Sequence, residues 1–202
     1  MLCLLYFIPT VGRVCRNINE IMIFAVNTGI IEHNKLAGIG KAFATAQATN
    51  QASLKPEELQ ELLTALNYAN IKLITRCLIE WQLHTMTRPS ETAGARWDEI
   101  DKDKQLWNIP GERMKKGRAH TIPLTTQTIA LLDTIDAITG DSEYLFPADK
   151  TNKKHINKET ANKALQRVGF KGRQTSHGLR ALASTTLNEQ SFDVDAIEAH
   201  TT

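Results

Sequence analysis

Cysteine is scarce. Cys3, Cys15 and Cys77 are the only three in 202 residues, and no pair has the spacing of a disulfide framework or a metal site. That usage excludes a cysteine-stapled scaffold and suits a reducing, cytoplasmic setting. Long apolar runs are missing too. The most apolar stretch, Met1–Ile8, is far too short to span a bilayer. It also lacks the basic start and small-residue cleavage site of a secretory signal, so no membrane association is expected. There is no low-complexity tract, and 42% hydrophobic with 23% charged residues is the balance of an ordinary globular chain. Net charge is nearly absent, at +2. The length allows one sizeable core, or one domain with part of another.

The charge that is there is unevenly spread. From Lys150 to Arg180 nine basic residues face a single acid, Glu159. Such an excess suits a polyanion, of which nucleic acid is the commonest, or else a solvated face with no ligand.

The pattern along the chain is mainly helical. Ile18, Ile21, Met22 and Ala25 form one stripe over Asn17–Val26, and Asn27-Thr28-Gly29 ends it. Residues 33–52 lack periodicity and read as a linker. Pro56 then suits a first helical position, Glu57 and Glu58 suit the positive end of the helix, and Leu59, Leu62, Leu63 and Leu66 make its apolar face. A helix over about 71–84 turns Ile74, Cys77, Leu78 and Trp81 inward. Trp97–Ile100, Gln105–Ile109 and Ala119–Pro123 read as three antiparallel strands joined by tight turns. Helices follow over about 126–138, 157–168 and 176–189, with a last stub from Asp193. The expected fold is mainly α with a small three-stranded antiparallel sheet, an α+β arrangement.

Three segments carry polar groups suited to one chemistry. In Arg88-Pro89-Ser90-Glu91, Pro89 disfavours helical geometry at Arg88 and starts a helix, so Arg88 falls near an N-cap. Glu91, one turn on, can orient the guanidinium. Lys115 sits with Lys116, Gly117 and Arg118 in the predicted hairpin loop. In the box His177-Gly178-Leu179-Arg180, Ser176 is the expected N-cap; Leu179 and Leu182 face inward while His177 and Arg180 project together. Cations near helix N-termini are unfavourable unless an anion sits opposite. Taken singly, each segment also reads as a solvated surface feature.

In order and spacing these segments resemble the tyrosine recombinase, or phage integrase, family, particularly prophage integrases of the satellite-phage type. Thr87–Glu91 with Ala95-Arg96-Trp97 is similar to its first arginine motif. Arg113–Lys116 through His120–Leu124 is similar to its hairpin lysine motif, and His177–Arg180 to its second arginine box. The resemblance implies that Arg88 and Arg180 bind the scissile phosphate, Lys115 acts as general acid and His177 assists, with Glu91 supporting the site. It implies double-stranded DNA at attachment sites as partner, a homo-oligomer on that DNA, and no metal, nucleotide or other cofactor. Lys116, Arg118, Lys153, Lys154 and Arg173 are the candidate DNA-contacting cations.

No tyrosine follows Arg180 in the sequence, and Tyr6, Tyr68 and Tyr144 stand in contexts unlike the family's nucleophile. His200 stands only twenty residues after Arg180, closer than the family's next catalytic position, and is left unassigned between a shifted remnant of that position and an unrelated histidine. Residues 1–50 are expected to be a remnant of a core-binding (SAM-like) domain plus linker, and 51–202 a catalytic domain lacking its nucleophile segment. The expectation is a truncated site-specific recombinase that binds DNA. Its alternatives are a chain completed in trans by a partner's tyrosine, a non-catalytic DNA-binding or interaction remnant, and a partly disordered pseudogene product.

Overall fold

The computed structural model describes residues 8–43 and 51–190. The chain divides between residues 50 and 51 into two compact units. In the first, helix α1 (Ile8–Asn27) begins well before the expected Asn17. Pro9 falls in the first turn, where its missing N–H costs nothing, so the apolar periodicity extends back without a break. Cys15 is buried on this helix, and Asn34 Nδ2 donates to Asn19 Oδ1 at 2.8 Å. The stop is where expected, with Gly29 in the left-handed region at φ 74°. The predicted linker holds a 3-10 turn, Ile39–Ala42, and its residues 44–50 lie outside the described residues.

The second unit is built around α3 (Leu73–Thr85), which contacts α4 (Pro89–Ala93), α5 (Thr126–Thr139), α6 (Thr160–Leu165) and α7 (Gly178–Glu189). A 3-10 turn at Pro56–Glu58 leads into α2 (Leu59–Tyr68), whose Leu62 and Leu66 are buried as its stripe requires. Trp81 of α3 and Trp107 are both fully buried and meet at 5.4 Å between ring centroids, tilted by 60°. Two such rings anchor the core, since each removes a large area from water and tilted pairs are favoured.

The predicted three-stranded antiparallel sheet forms, in the order β1 (Ile100–Asp101), β2 (Leu106–Ile109), β3 (His120–Pro123). Trp107, Ile109 and Ile122 point into the core, while Asn108 and Thr121 pair outward. The first strand is shorter than expected, because Trp97–Glu99 is a 3-10 turn. Glu99 turns inward there to accept from Arg96 N and Trp107 Nε1, which a strand at this point would prevent. A second small sheet, β4 (Pro147–Ala148) with β5 (Thr151–His155), was not expected from the polar sequence Thr151–His155.

Two helices also differ from their sequence pattern. The stretch predicted over 157–168 is α6 followed by a π-turn, Gln166–Phe170, in which Gly169 takes φ 100°. Ser176 does not cap α7. Thr175 Oγ1 accepts from Gly178 N at 2.9 Å instead, and Ser176 is buried with its hydroxyl bonded elsewhere. The stub from Asp193 lies outside the described residues. Among the described residues no helix is long and apolar enough to cross a membrane.

Candidate functional site

Arg88 is placed by the chain reversal between α3 and α4. After Thr85, Met86 adopts a left-handed conformation at φ 50°, and Arg88 is extended at φ −70°, ψ 151°, as Pro89 demands. Glu91 then folds back. One carboxylate oxygen accepts from Arg88 N and the other from the Arg88 guanidinium, both at 2.8 Å. Glu91 is 3% exposed and the Arg88 side chain 25%, so backbone and guanidinium are both fixed in a partly dry setting. Beneath them runs a buried chain of hydroxyls, Thr85 to Thr87 at 2.9 Å and Thr87 to Thr92 at 2.7 Å.

The second segment of the site comes from the start of α7. Leu179 and Leu182 are fully buried, which turns Arg180 and His177 away from the core, as the helical spacing predicts. Gly178 is required by close approach rather than by φ. A Cβ there would stand 2.2 Å from the Ala52 carbonyl oxygen. Arg180 is half-buried, and its guanidinium pKa is lowered from the ordinary arginine value. Burial is the first cause and the charge of Arg88 the second, while Glu91 opposes both. Arg88, Arg180 and Glu91 are therefore electrostatic neighbours, with two positive charges around one negative.

Beside Arg88 opens a cleft of about 330 Å³ whose lining includes Arg88, Ser90, Lys158, Glu159, Asn162, Ser176 and His177, but not Arg180. The arrangement has a surplus of donors and positive charge and suits an oxyanion such as a phosphate group. Among the described residues no group of three or more His, Cys, Asp or Glu side chains is placed to hold a metal.

Other residues singled out from the sequence lie elsewhere. Lys115, Lys116 and Arg118 are exposed on the loop between β2 and β3, and none of them lines the cleft. The base of that loop is tied to the site by Arg113, which pairs with Glu99 and donates to the Glu91 carbonyl at 2.6 Å. Lys153 and Lys154 are exposed on β5. The Arg173 guanidinium is gripped by Glu58 at 2.9 Å and Glu61 at 2.8 Å and lies 5.0 Å over the Phe170 ring. His200 falls outside the described residues.

Gln82, Asn162 and Lys158 were not singled out as site residues. For Gln82 there was a signal: it continues the inward stripe of Leu78 and Trp81, where a polar group needs partners.

Similarity to known proteins extends over most of the chain. Residues 52–201 match the sequence profile of the phage integrase family. The prophage integrase IntA of Escherichia coli (strain K12) is 46% identical over 192 residues, covering 95% of this chain and 46% of that protein. The integrase of Enterobacteria phage P4 is 33% identical over 201 residues, covering 92% of this chain and 46% of its own length. The chain thus spans about half the length of these relatives. Among solved structures, a lambda integrase dimer bound to a COC' core site superimposes with a TM-score of 0.71 at 18% identity, covering 93% of this chain and 54% of that one. The Tn1549 transposon integrase in complex with transposon right end DNA gives 0.76 at 13% identity, covering 96% and 71%. At these identities the structures bear on the fold alone.

Proposed function

The chain belongs to the phage integrase family, and from that premise we propose that its cleft receives a backbone phosphate of double-stranded DNA. The single observation that supports this most is Arg88, held by the buried Glu91, sharing the wall of an open cleft with His177, while Arg180 nearby feels the charge of Arg88. Two guanidiniums match the oxygens of a phosphodiester and oppose the charge of its five-coordinate transition state. Glu91 holds Arg88 in the required pose. His177, at the cleft wall, donates to the phosphate or shuttles a proton. Lys115 is assigned as general acid on its motif, with Arg113 securing the base of its loop to α4. Lys116, Arg118, Lys153 and Lys154 add exposed charge for the flanking backbone. Arg173 joins them only if DNA displaces its carboxylate partners.

In this reading residues 51–202 are the catalytic domain of a site-specific recombinase and residues 1–50 belong to a core-binding domain. The setting is cytoplasmic, and several copies assemble on an attachment site. The reaction is strand cleavage and rejoining through a 3′-phosphotyrosine.

A second reading, binding without cleavage, is favoured by a specific observation. Among the described residues neither tyrosine lines the cleft. Tyr68 is 85% exposed on α2, and the Tyr144 ring is engaged by Arg96 and His155. These residues alone would then hold DNA and await a tyrosine from another segment or chain.

Both readings are tested with fluorescent duplex DNA over a salt series. Binding should weaken steeply with salt, and Arg88→Ala and Arg180→Ala should each lower the slope by about one phosphate contact. Wild-type affinity in both variants refutes the phosphate site. A nicked suicide substrate separates the two readings. A covalent protein–DNA band formed by the chain alone excludes binding without cleavage. A band that needs an added tyrosine-bearing integrase segment identifies a donor in trans.

A further inference from the structure

Gln82 makes a set of contacts that ordinary core residues do not. It lies on α3 with 1% of its surface exposed. Its Nε2 donates to the Ser176 carbonyl at 2.8 Å and to the Thr87 carbonyl at 3.3 Å, and its Oε1 accepts from the Ser176 hydroxyl at 2.8 Å. Carbonyl oxygens accept only, so the amide nitrogen has to face them, and the hydroxyl completes the pattern at the oxygen. Thr87 and Ser176 immediately precede Arg88 and His177. One planar amide therefore joins the backbones just upstream of both cationic segments, which are otherwise far apart in sequence.

We propose that Gln82 is the positioning residue that sets the separation of Arg88 from the His177–Arg180 box. The two N–H bonds leave a single nitrogen at a fixed angle, so the distance between the two carbonyls is set by covalent geometry. A side chain with one donor, or none, leaves a buried carbonyl without its partner, and the segments can drift. Asn162 adds a second brace, its Oδ1 accepting from Ser176 N at 3.3 Å, but it reaches one segment only. Gln82 touches neither the cleft nor any reacting atom, and it acts through the residues it holds. The proposal rests on the cleft being the phosphate site described above.

The test uses the full chain, a fluorescein-labelled duplex, and Gln82→Leu and Gln82→Glu, each measured below its own melting temperature. Leucine keeps the volume and removes all three bonds. Glutamate keeps the acceptor and loses both donors. Each variant is expected to weaken binding about tenfold and to lower the salt slope by about one. In an Arg88→Ala background, Gln82→Leu should change affinity by less than about twofold, because the contact it aligns is already gone.

A purely structural Gln82 lowers the melting temperature and leaves affinity and slope at wild-type values, which overturns the proposal. Full additivity with Arg88→Ala overturns it as well. If Arg88→Ala and Arg180→Ala themselves have no effect, the phosphate reading fails. The bridge is then judged by hydrogen exchange in the DNA-free chain. Faster exchange in Gln82→Leu at residues 87–88 together with 174–177 sustains it, and change in one segment or in neither overturns it.

Discussion

Replacing Glu91 separates two effects of one carboxylate, and they have opposite signs. Glu91→Gln keeps the size and removes the charge. Its amide can accept from only one of the two Arg88 donors now served, the backbone N–H or the guanidinium, and presents an NH2 to the other. Breaking a fully buried pair costs about 3–5 kcal/mol. The Arg88 side chain is 25% exposed and can relax toward water, so roughly 2 kcal/mol is expected for the Gln variant. Glu91→Ala also strands the backbone N–H, bringing the total to about 3–4 kcal/mol. At about 2–4 °C per kcal/mol for a chain of this size, the Gln variant should melt roughly 4–8 °C lower.

The effect on DNA is more telling. If Glu91 acts only as a charge near the phosphate, removing it strengthens binding by about 1 kcal/mol, near fivefold. If it acts by holding Arg88 in place, binding weakens by about tenfold although the cleft has become more positive. Equilibrium anisotropy with a labelled duplex, paired with thermal unfolding, reads both quantities. Tighter binding by Glu91→Gln with an unchanged melting temperature would refute the alignment argument.

The other expectations can be checked with simpler assays. Gly178→Ala places a methyl group 2.2 Å from the Ala52 carbonyl oxygen, and backbone cannot yield cheaply, so a loss of about 1–3 kcal/mol is expected in urea unfolding; wild-type stability would show that the close approach is not real. Burial, with Glu80 second, pushes the Cys77 thiol up to about 11. At pH 8 only about one part in a thousand is thiolate, so Cys77 should resist a disulfide reagent until urea is added, as peptide mass mapping would show. The Glu58 carboxyl is held below its ordinary pKa by the Lys55 backbone first and Arg173 second, and Glu61 by Arg173 first. A depressed folded pKa contributes stability above the unfolded value of 4.5 and loses it as pH falls through the folded value. The stability difference between wild type and Glu58→Gln/Glu61→Gln should therefore hold above pH 4.5 and shrink as the pH falls below it. Finally, inorganic phosphate at ten times its dissociation constant should stabilise the folded chain by about 1.4 kcal/mol, and should do so less in Arg88→Ala.

What could be read from the sequence was set by short-range physics. Pro89 fixes the backbone of Arg88, and a carboxylate three residues later can fold back only one way, so this corner of the site was predictable from four residues. The alternation of Trp107, Ile109 and Ile122 and the stripe of Cys77, Leu78 and Trp81 were equally local. The misreadings arose where a distant partner outweighed local preference. Ser176 is a good cap by type, but the amide of Gln82, from another helix, takes its hydroxyl, and Thr175 caps instead. Trp97 and Ile100 are strand formers, but Glu99 between them is drawn inward by Arg113 and Trp107. Thr151–His155 carries little apolar signal, and its pairing depends on Pro147 and Ala148 across a turn.

The same distinction explains why the site is positive. Both cationic segments lie at helix starts, where backbone N–H groups already favour an anion. At α4 the protein supplies that anion itself: Glu91 lies in the first turn and binds Arg88. At α7 it does not. The first turn there has no acidic residue, its capping group is the neutral hydroxyl of Thr175, and Arg180 is pressed by burial and by Arg88 together. Glu91 is the carboxylate that opposes that pressure, and both of its oxygens are already committed to Arg88. One carboxylate cannot balance two guanidiniums, so the folded chain carries a charge imbalance that an external oxyanion would relieve. A purely structural ion-pair network would have placed a second acid at the start of α7, and the protein has a histidine and an arginine there instead.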